Sequence, residues 1–211
     1  MLRPGLGLFT GASRIRYMIL ASSMSPDALR DTEDCISRLQ SGDLSALTEI
    51  MMRYQHRMYR FLLRLTQDPG LADDLFQQTW LRVIEKIGRY DARRQFEPWL
   101  FSVARNLTID YLRQRQPRSL DVVEDSGESP AERLAATGLD PLESLLEFER
   151  GGVLAAAIAE LPVIHREVLT LRFEEELKLE QIADIAGIPV STVKSRLLRA
   201  LERLRERLNL Q

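Results

Sequence analysis

A chain of 211 residues, 45% hydrophobic and 28% charged, has room for one or two cores and the balance of an ordinary globular protein. A single cysteine, Cys35, excludes an intrachain disulfide and a cysteine-rich zinc site and fits a reducing cytoplasm. The net charge of -2 looks unlike a nucleic-acid binder, but it conceals segregation: Arg82 to Arg118 holds nine Lys/Arg against four Asp/Glu, whereas Ser119 to Arg150 holds two Arg against nine Asp/Glu.

Residues 1–30 are poorly patterned and read as a flexible N-terminal extension. The apolar run Tyr17 to Ala21 is too short for a signal-peptide core, and Met18 or Met24 is an alternative translation start that N-terminal sequencing would test. No apolar run anywhere approaches the roughly 20 residues of a membrane span, so no membrane insertion is expected.

A first domain is expected over residues 31–116. Asp31 or Thr32 can cap a short helix through Leu39, on which Cys35 reads first as a small hydrophobe and otherwise as a redox-sensing thiol. After the Ser41-Gly42-Asp43 break, Asp43 caps a long helix, about Leu44 to Thr66. Its apolar stripe is Leu47, Ile50, Met51, Tyr54, Met58, Phe61, Leu62 and Leu65, and Asp68-Pro69-Gly70 ends it. His56 has no ligand-spaced partner and reads as a surface residue.

The next helix, Leu71 to Ile87, buries Ala72, Leu75, Phe76, Thr79, Val83 and Ile87. It turns Asp74, Gln77, Gln78, Leu81 and Glu85 the other way. An exposed leucine inside an acidic and amide patch suits protein docking, against the plainer reading of a polar face with one stray leucine. Gly88 to Gln95 is a basic loop with Tyr90, Arg93 and Arg94. The helix Pro98 to Arg115 follows, with Trp99, Leu100, Val103, Leu107 and Tyr111 as core stripe and Asp110 on the core side. Ser102, Arg105, Asn106, Ile109 and Arg113 share its outer face. Arginine, asparagine and an aromatic beside a basic loop can contact phosphates and stack unpaired bases.

Residues 117–139 are acidic, rich in Ser, Gly and Pro, without apolar period, and read as a flexible linker. Asp140-Pro141-x-Glu143 starts a helix expected to reach Glu160 with a kink at Gly151-Gly152, and Leu161-Pro162 opens another carrying His165. Residues 140–211 form the second domain. In it Leu179, Ile182, Ala183 and Ala186 share a helical face, Gly187 is a left-handed stop, and Ser191 is placed to cap a longer helix from Thr192. Val193, Leu197, Ala200, Leu201, Leu204 and Leu208 face inward. Thr192, Ser195, Leu198 and Arg199 face outward at its start, flanked by Lys194, Arg196 and Arg203. Helix, glycine turn, helix is the helix-turn-helix pattern, whose second helix enters the DNA major groove. From that helix alone, a solvated basic helix closing a bundle remains the alternative.

The stretches DDLFQQTWLRV, FEPWLFSVARNLTIDYLR, ELPVIHREVLTLRF and LEQIADIAGIPVSTVKSRLLRALERLRE, in this order, resemble the bacterial RNA polymerase sigma factors of the extracytoplasmic-function (ECF) group of the sigma-70 family. The resemblance implies an all-α protein of two small helical domains, sigma-2 and sigma-4, joined by the acidic linker. It implies a cytoplasmic protein without enzyme activity or cofactor, whose partners are core RNA polymerase, promoter DNA in duplex and single-stranded form, and an anti-sigma factor. Asp74, Gln77 and Gln78, with Leu81, match the surface that grips the polymerase clamp helices. The loop Tyr90 to Gln95, with Arg105, Asn106 and Arg113, matches the -10 element site. Lys194, Ser195, Leu198 and Arg199, with Thr192, Arg196 and Arg203, match the -35 reading face. Gln78 stands where the family often has Glu. Lys178 stands where it usually has Ser or Thr, so a frayed or shifted helix start is expected there.

The resemblance also implies that the linker threads toward the polymerase RNA exit channel. No phosphate-binding glycine loop, metal-ligand spacing or nucleophile–base pair is present in the sequence. A helix-turn-helix regulator acting without polymerase leaves residues 31–116 unexplained. An enzyme with an appended DNA-binding module requires clustered titratable residues that the first domain lacks.

Overall fold

The computed structural model describes residues 26–115 and 152–208, and every regular element among them is helical. The expected linker, the Asp140 helix start and most of the N-terminal extension lie outside these residues.

The first unit consists of α1 (Pro26–Gln40), α2 (Ser45–Thr66), α3 (Pro69–Ile87) and α4 (Phe96–Arg115). The first helix starts earlier than expected, at Pro26 rather than near Thr32. Asp43 caps α2 as its side chain dictates: Oδ1 accepts from the Ser45 amide at 2.9 Å. Asp68 does more than end α2. Its carboxylate accepts from the Gly70 and Leu71 amides at 2.9 and 3.2 Å, and Pro69 sits in the first turn, so α3 starts two residues before Leu71. The α2 stripe Ile50, Tyr54, Met58, Phe61, Leu62 and Leu65 is fully buried. Cys35 is buried too, and its thiol donates to Glu49 at 3.3 Å; burial first, then that carboxylate, push its pKa up, which suits an inert thiol.

On α4 the buried set is Phe96, Leu100, Phe101, Val103, Ala104, Thr108 and Ile109. Trp99, Leu107 and Tyr111 are only partly buried against the core. Two expectations are corrected: Ile109, placed on the outer face, is 3% exposed, and Asp110, placed on the core side, is exposed. The helix is rotated because it is packed on two sides. Phe101 meets Phe61 edge-on at 5.2 Å within its own unit, while a helix of the second unit lies along its other flank.

The second unit holds α5 (Val153–Ala159), α6 (Val163–Leu169) continuing into a π-turn (Thr170–Glu174), α7 (Leu179–Ala186) and α8 (Val190–Arg207). Gly152 precedes α5 with φ +72°, a left-handed conformation that glycine adopts readily; the helix expected before it lies outside the described residues. Lys178 starts α7 without fraying, because its amide donates to the Gln181 side chain at 2.8 Å, one half of a capping box. Gly187 ends α7 at φ +66°. The second helix begins at Val190, earlier than expected. Pro189, not Ser191, occupies the N-cap, and its carbonyl accepts from the Thr192 and Val193 amides at 3.0 and 3.1 Å.

The two units are closed on one another. Helix α7 packs along α4, and α6 with its π-turn packs on α2. Arg166 ties the seam by donating to the carbonyls of Ala159, Leu161 and Leu65 at 2.8, 2.6 and 2.9 Å, and Gln67 donates to Ala159 O at 2.6 Å. These carbonyls belong to helix ends and their flanks, where acceptors lack intrahelical donors.

Candidate nucleic-acid interface

The outward face of α3 is a mixed patch. Asp74, Gln77 and Gln78 are exposed, and Leu81 and Ile84 are 61% and 41% exposed. Both count among the exposed large apolar side chains of the described residues. Trp80 and Phe76, packed edge-on at 6.1 Å centroid separation, hold the helix from beneath.

The loop between α3 and α4 divides by chemistry. Arg93 and Arg94 are exposed, but Tyr90, expected to reach a base, is 7% exposed. Its ring lies 4.9 Å from Trp99 and 5.7 Å from Phe96, and its hydroxyl donates to the Arg94 carbonyl. Burial first, then Asp91 and Glu33, push the Tyr90 pKa up to about 12, so the hydroxyl stays a donor. Tyr90 thus fixes the loop from inside, and Gln40 does so from the far end, donating to Ile87 O and Tyr90 O at 3.0 and 2.8 Å. On α4, Asn106 and Arg113 are exposed. Arg105 sits beside Asn106, with 3.3 Å between Nη1 and Oδ1, but its Nε donates to the buried Glu167 of α6 at 2.8 Å.

In the helix-turn-helix, Lys194 and Arg203 are exposed, and Thr192, Ser195, Arg196, Leu198 and Arg199 are half-buried. Ser195 donates to Thr192 O at 3.0 Å. The inward stripe Val193, Leu197, Ala200 and Leu204 is buried as the helical period requires. Beneath α8 lies His165, fully buried, its two ring nitrogens without hydrogen-bond partners. Burial, then the charges of Arg203, Arg196 and Arg199, push its pKa down to about 4, leaving the ring neutral.

Sequence reasoning missed the charged seam. Arg57, Arg60 and Arg64 project from α2 at helical spacing toward the carboxylates of Glu174 and Glu175. Arg57 Nε reaches Glu175 at 2.6 Å, Arg64 Nε reaches Glu174 at 2.8 Å, and Arg60 lies 3.6 and 3.5 Å from Glu174 and Glu175. Glu97 of α4 also pairs with Arg57. The only signals were R-x-x-R-x-x-x-R on one helix face and the run Glu174-Glu175-Glu176. Among the described residues no three of His, Cys, Asp and Glu are grouped to hold a metal ion. No described helix is long and apolar enough to cross a membrane.

Two family models match the chain: Sigma-70 region 2 over residues 50–118 and Sigma-70, region 4 over residues 157–206. The ECF RNA polymerase sigma factor SigW of Bacillus subtilis is 31% identical over 176 residues, covering 82% of this chain and 94% of SigW. SigM of the same organism, also an ECF RNA polymerase sigma factor, is 36% identical over 166 residues, covering 75% and 93%. Among solved structures, CnrH in complex with the cytosolic domain of CnrY superposes with a TM-score of 0.61 at 20% identity, over 85% of this chain and 97% of CnrH. The sigma factor RpoE bound to the anti-sigma factor NepR, from Bartonella quintana, gives 0.54 at 23% identity, over 78% and 97%.

Proposed function

The chain belongs to the sigma-70 family of RNA polymerase sigma factors, in its ECF group, and from that premise we propose how its two units divide the work of promoter-specific transcription initiation. A sigma factor is not an enzyme: polymerase supplies the chemistry, and this chain supplies the choice of promoter.

In this reading α3 docks on core polymerase through Asp74, Gln77, Gln78 and Leu81, with Ile84 beside them. The observation that carries it is the pair of exposed apolar side chains, Leu81 and Ile84, among polar groups on a helix whose opposite face is buried through Ala72, Leu75, Thr79, Trp80, Val83 and Ile87. That is the composition of a protein contact with an apolar centre and a polar rim. Arg93, Arg94, Arg105, Asn106 and Arg113 take the single-stranded -10 element, with Tyr90 shaping the loop; binding the opened strand better than the duplex offsets part of the melting cost. Thr192, Lys194, Ser195, Arg196, Leu198, Arg199 and Arg203 read the -35 duplex in the major groove. Polymerase tethers both contacts, so neither need be tight alone. An anti-sigma protein is an expected partner; the sigma factor RpoE is in complex with the anti-sigma factor NepR. The protein works where polymerase works, in the cytoplasm.

Run-off transcription with purified core polymerase, with and without this chain, tests the reading. Promoter-specific transcripts that require the chain are expected. Failure to associate stably with core would refute it.

A further inference from the structure

Apolar packing joins the two units, since buried side chains of both share one hydrophobic cluster, but a stretch of the seam between α2 and the π-turn is built from charge. On the α2 side stand Arg57, Arg60 and Arg64, one face of the helix over about 10 Å of its axis. On the other side stand Glu174 and Glu175, presented by a backbone that departs twice from regular helix. A π-turn spans Thr170–Glu174, and Glu176 takes φ +55°, a left-handed conformation that non-glycine residues rarely adopt. The Glu175 side chain is completely buried there, and burial pushes its pKa up against the pull of Arg57. Such buried pairs cost desolvation that an apolar seam would not.

The pairing is also imperfect. Arg60 Nε makes no hydrogen bond, nor does Glu175 Oε1. The arginines therefore hold donor capacity that the carboxylates of Glu97, Glu174 and Glu175 do not saturate. Their position is informative: the Arg57 guanidinium lies over the Phe101 ring of α4 at 5.7 Å, and Arg105 stands one helical turn beyond Phe101. The stripe thus continues the face of α4 that carries Glu97, Phe101 and Arg105.

We propose that Arg57, Arg60 and Arg64 form a phosphate-binding track for single-stranded nucleic acid, continuous with Arg105, and that Glu174 and Glu175 occupy this track as an internal competitor in the closed chain. The proposal rests on the reading of the first unit as a nucleic-acid-binding domain. Opening the seam exchanges carboxylate for phosphodiester on the same guanidiniums, with charge-assisted hydrogen bonds retained. The Arg105–Glu167 pair closes in the same movement, so one displacement masks or exposes both sets of arginines.

The test uses the full-length chain, a fluorescent 20-nucleotide single-stranded DNA read by anisotropy across salt concentrations, and small-angle scattering for opening. Glu174→Gln with Glu175→Gln is expected to expand the chain and tighten DNA binding roughly tenfold, as the open fraction rises from about a tenth toward one. Adding Arg57→Gln, Arg60→Gln and Arg64→Gln should abolish the gain while the chain stays expanded. It should also flatten the log–log salt slope by roughly 2, three phosphates at about 0.7 each. A double variant that stays compact, one that opens without tighter binding, or an arginine-depleted variant that keeps the gain would each overturn the proposal. Circular dichroism establishes that each variant is folded. Should any misfold, the swap Arg64→Glu with Glu174→Arg carries the test: Glu174→Arg alone should open the chain and the swap should reclose it, and a swap that stays open overturns the latch. Core polymerase capture with the same proteins separates the two readings. Loss of core binding with the arginine-dependent gain intact removes the sigma mechanism and leaves the track.

Discussion

Arg105 Nε and Glu167 Oε1 are 2.8 Å apart across the seam, the glutamate side chain fully buried and the arginine side chain 15% exposed. A residue assigned to promoter DNA is thus spent on an internal partner 62 positions away in sequence. Glu167 Oε2 has no hydrogen bond, so the carboxylate depends on Arg105 alone. Removing Arg105 leaves a buried unpaired charge, which costs more than the pair contributes. Arg105→Ala is expected to destabilise the closed chain by roughly 2–3 kcal/mol, and Arg105→Ala with Glu167→Leu by about 1 kcal/mol or less. Urea denaturation of the two variants checks this. A double variant as unstable as the single one would sink the account.

Leu81 and Ile84 separate binding from stability. Both are solvated in the closed chain, so Leu81→Glu with Ile84→Lys should change unfolding free energy by no more than about 0.5 kcal/mol. The same variant should lose core polymerase by at least tenfold if these side chains are the centre of the docking patch. Co-purification with core and thermal melts give the two readouts. A fall in melting temperature with unchanged polymerase binding reverses the assignment.

Backbone conformation at two positions predicts opposite signs. Glu176 sits at φ +55°, where an L side chain costs roughly 1–2 kcal/mol, partly offset by the greater unfolded-state freedom of glycine. Glu176→Gly should therefore stabilise the chain by about 0.5–1 kcal/mol. Gly187 sits at φ +66° with nothing within 4 Å of an added Cβ, so Gly187→Ala meets no clash and costs only conformational strain, about 1 kcal/mol. Equilibrium melts of the two variants are expected to move in opposite directions by a few degrees.

The helix-turn-helix, the α2 core stripe and the polar face of α3 were legible because each is a local periodicity, and hydrophobic period fixes which face is buried. Caps were legible as residue types but not always as positions: Asp43 acts as written, Asp68 ends α2 but also caps α3, Pro189 displaced Ser191, and Gln181 compensated for Lys178. Tyr90, Ile109 and Asp110 were misplaced for a non-local reason. The aromatic cage of Phe96 and Trp99 and the packing of α7 along α4 involve contacts that the period of a single helix does not contain. The seam was least legible, since Arg57 and Glu175 lie 118 residues apart and no local pattern links them.

His165 makes stability pH-dependent. Its folded pKa is depressed to about 4 from an ordinary value of 6.5, by burial and by Arg203, Arg196 and Arg199 of α8. A depressed histidine is neutral when folded and takes up a proton when unfolded. The unfolded chain therefore binds the extra proton between those two values, and stability falls as pH drops through that window. Above about pH 6.5 the contribution is constant; by pH 5 the loss is roughly 2 kcal/mol at 1.36 kcal/mol per unit. His165→Leu removes the titration while keeping an apolar side chain of similar size against α8. Carboxylates elsewhere titrate equally in both proteins, so the quantity to measure is the difference between them in urea unfolding at pH 7 and pH 5. The native chain should lose more stability than His165→Leu by about that amount. Parallel losses in the two proteins would show that the imidazole is protonated, or exposed, in the folded state.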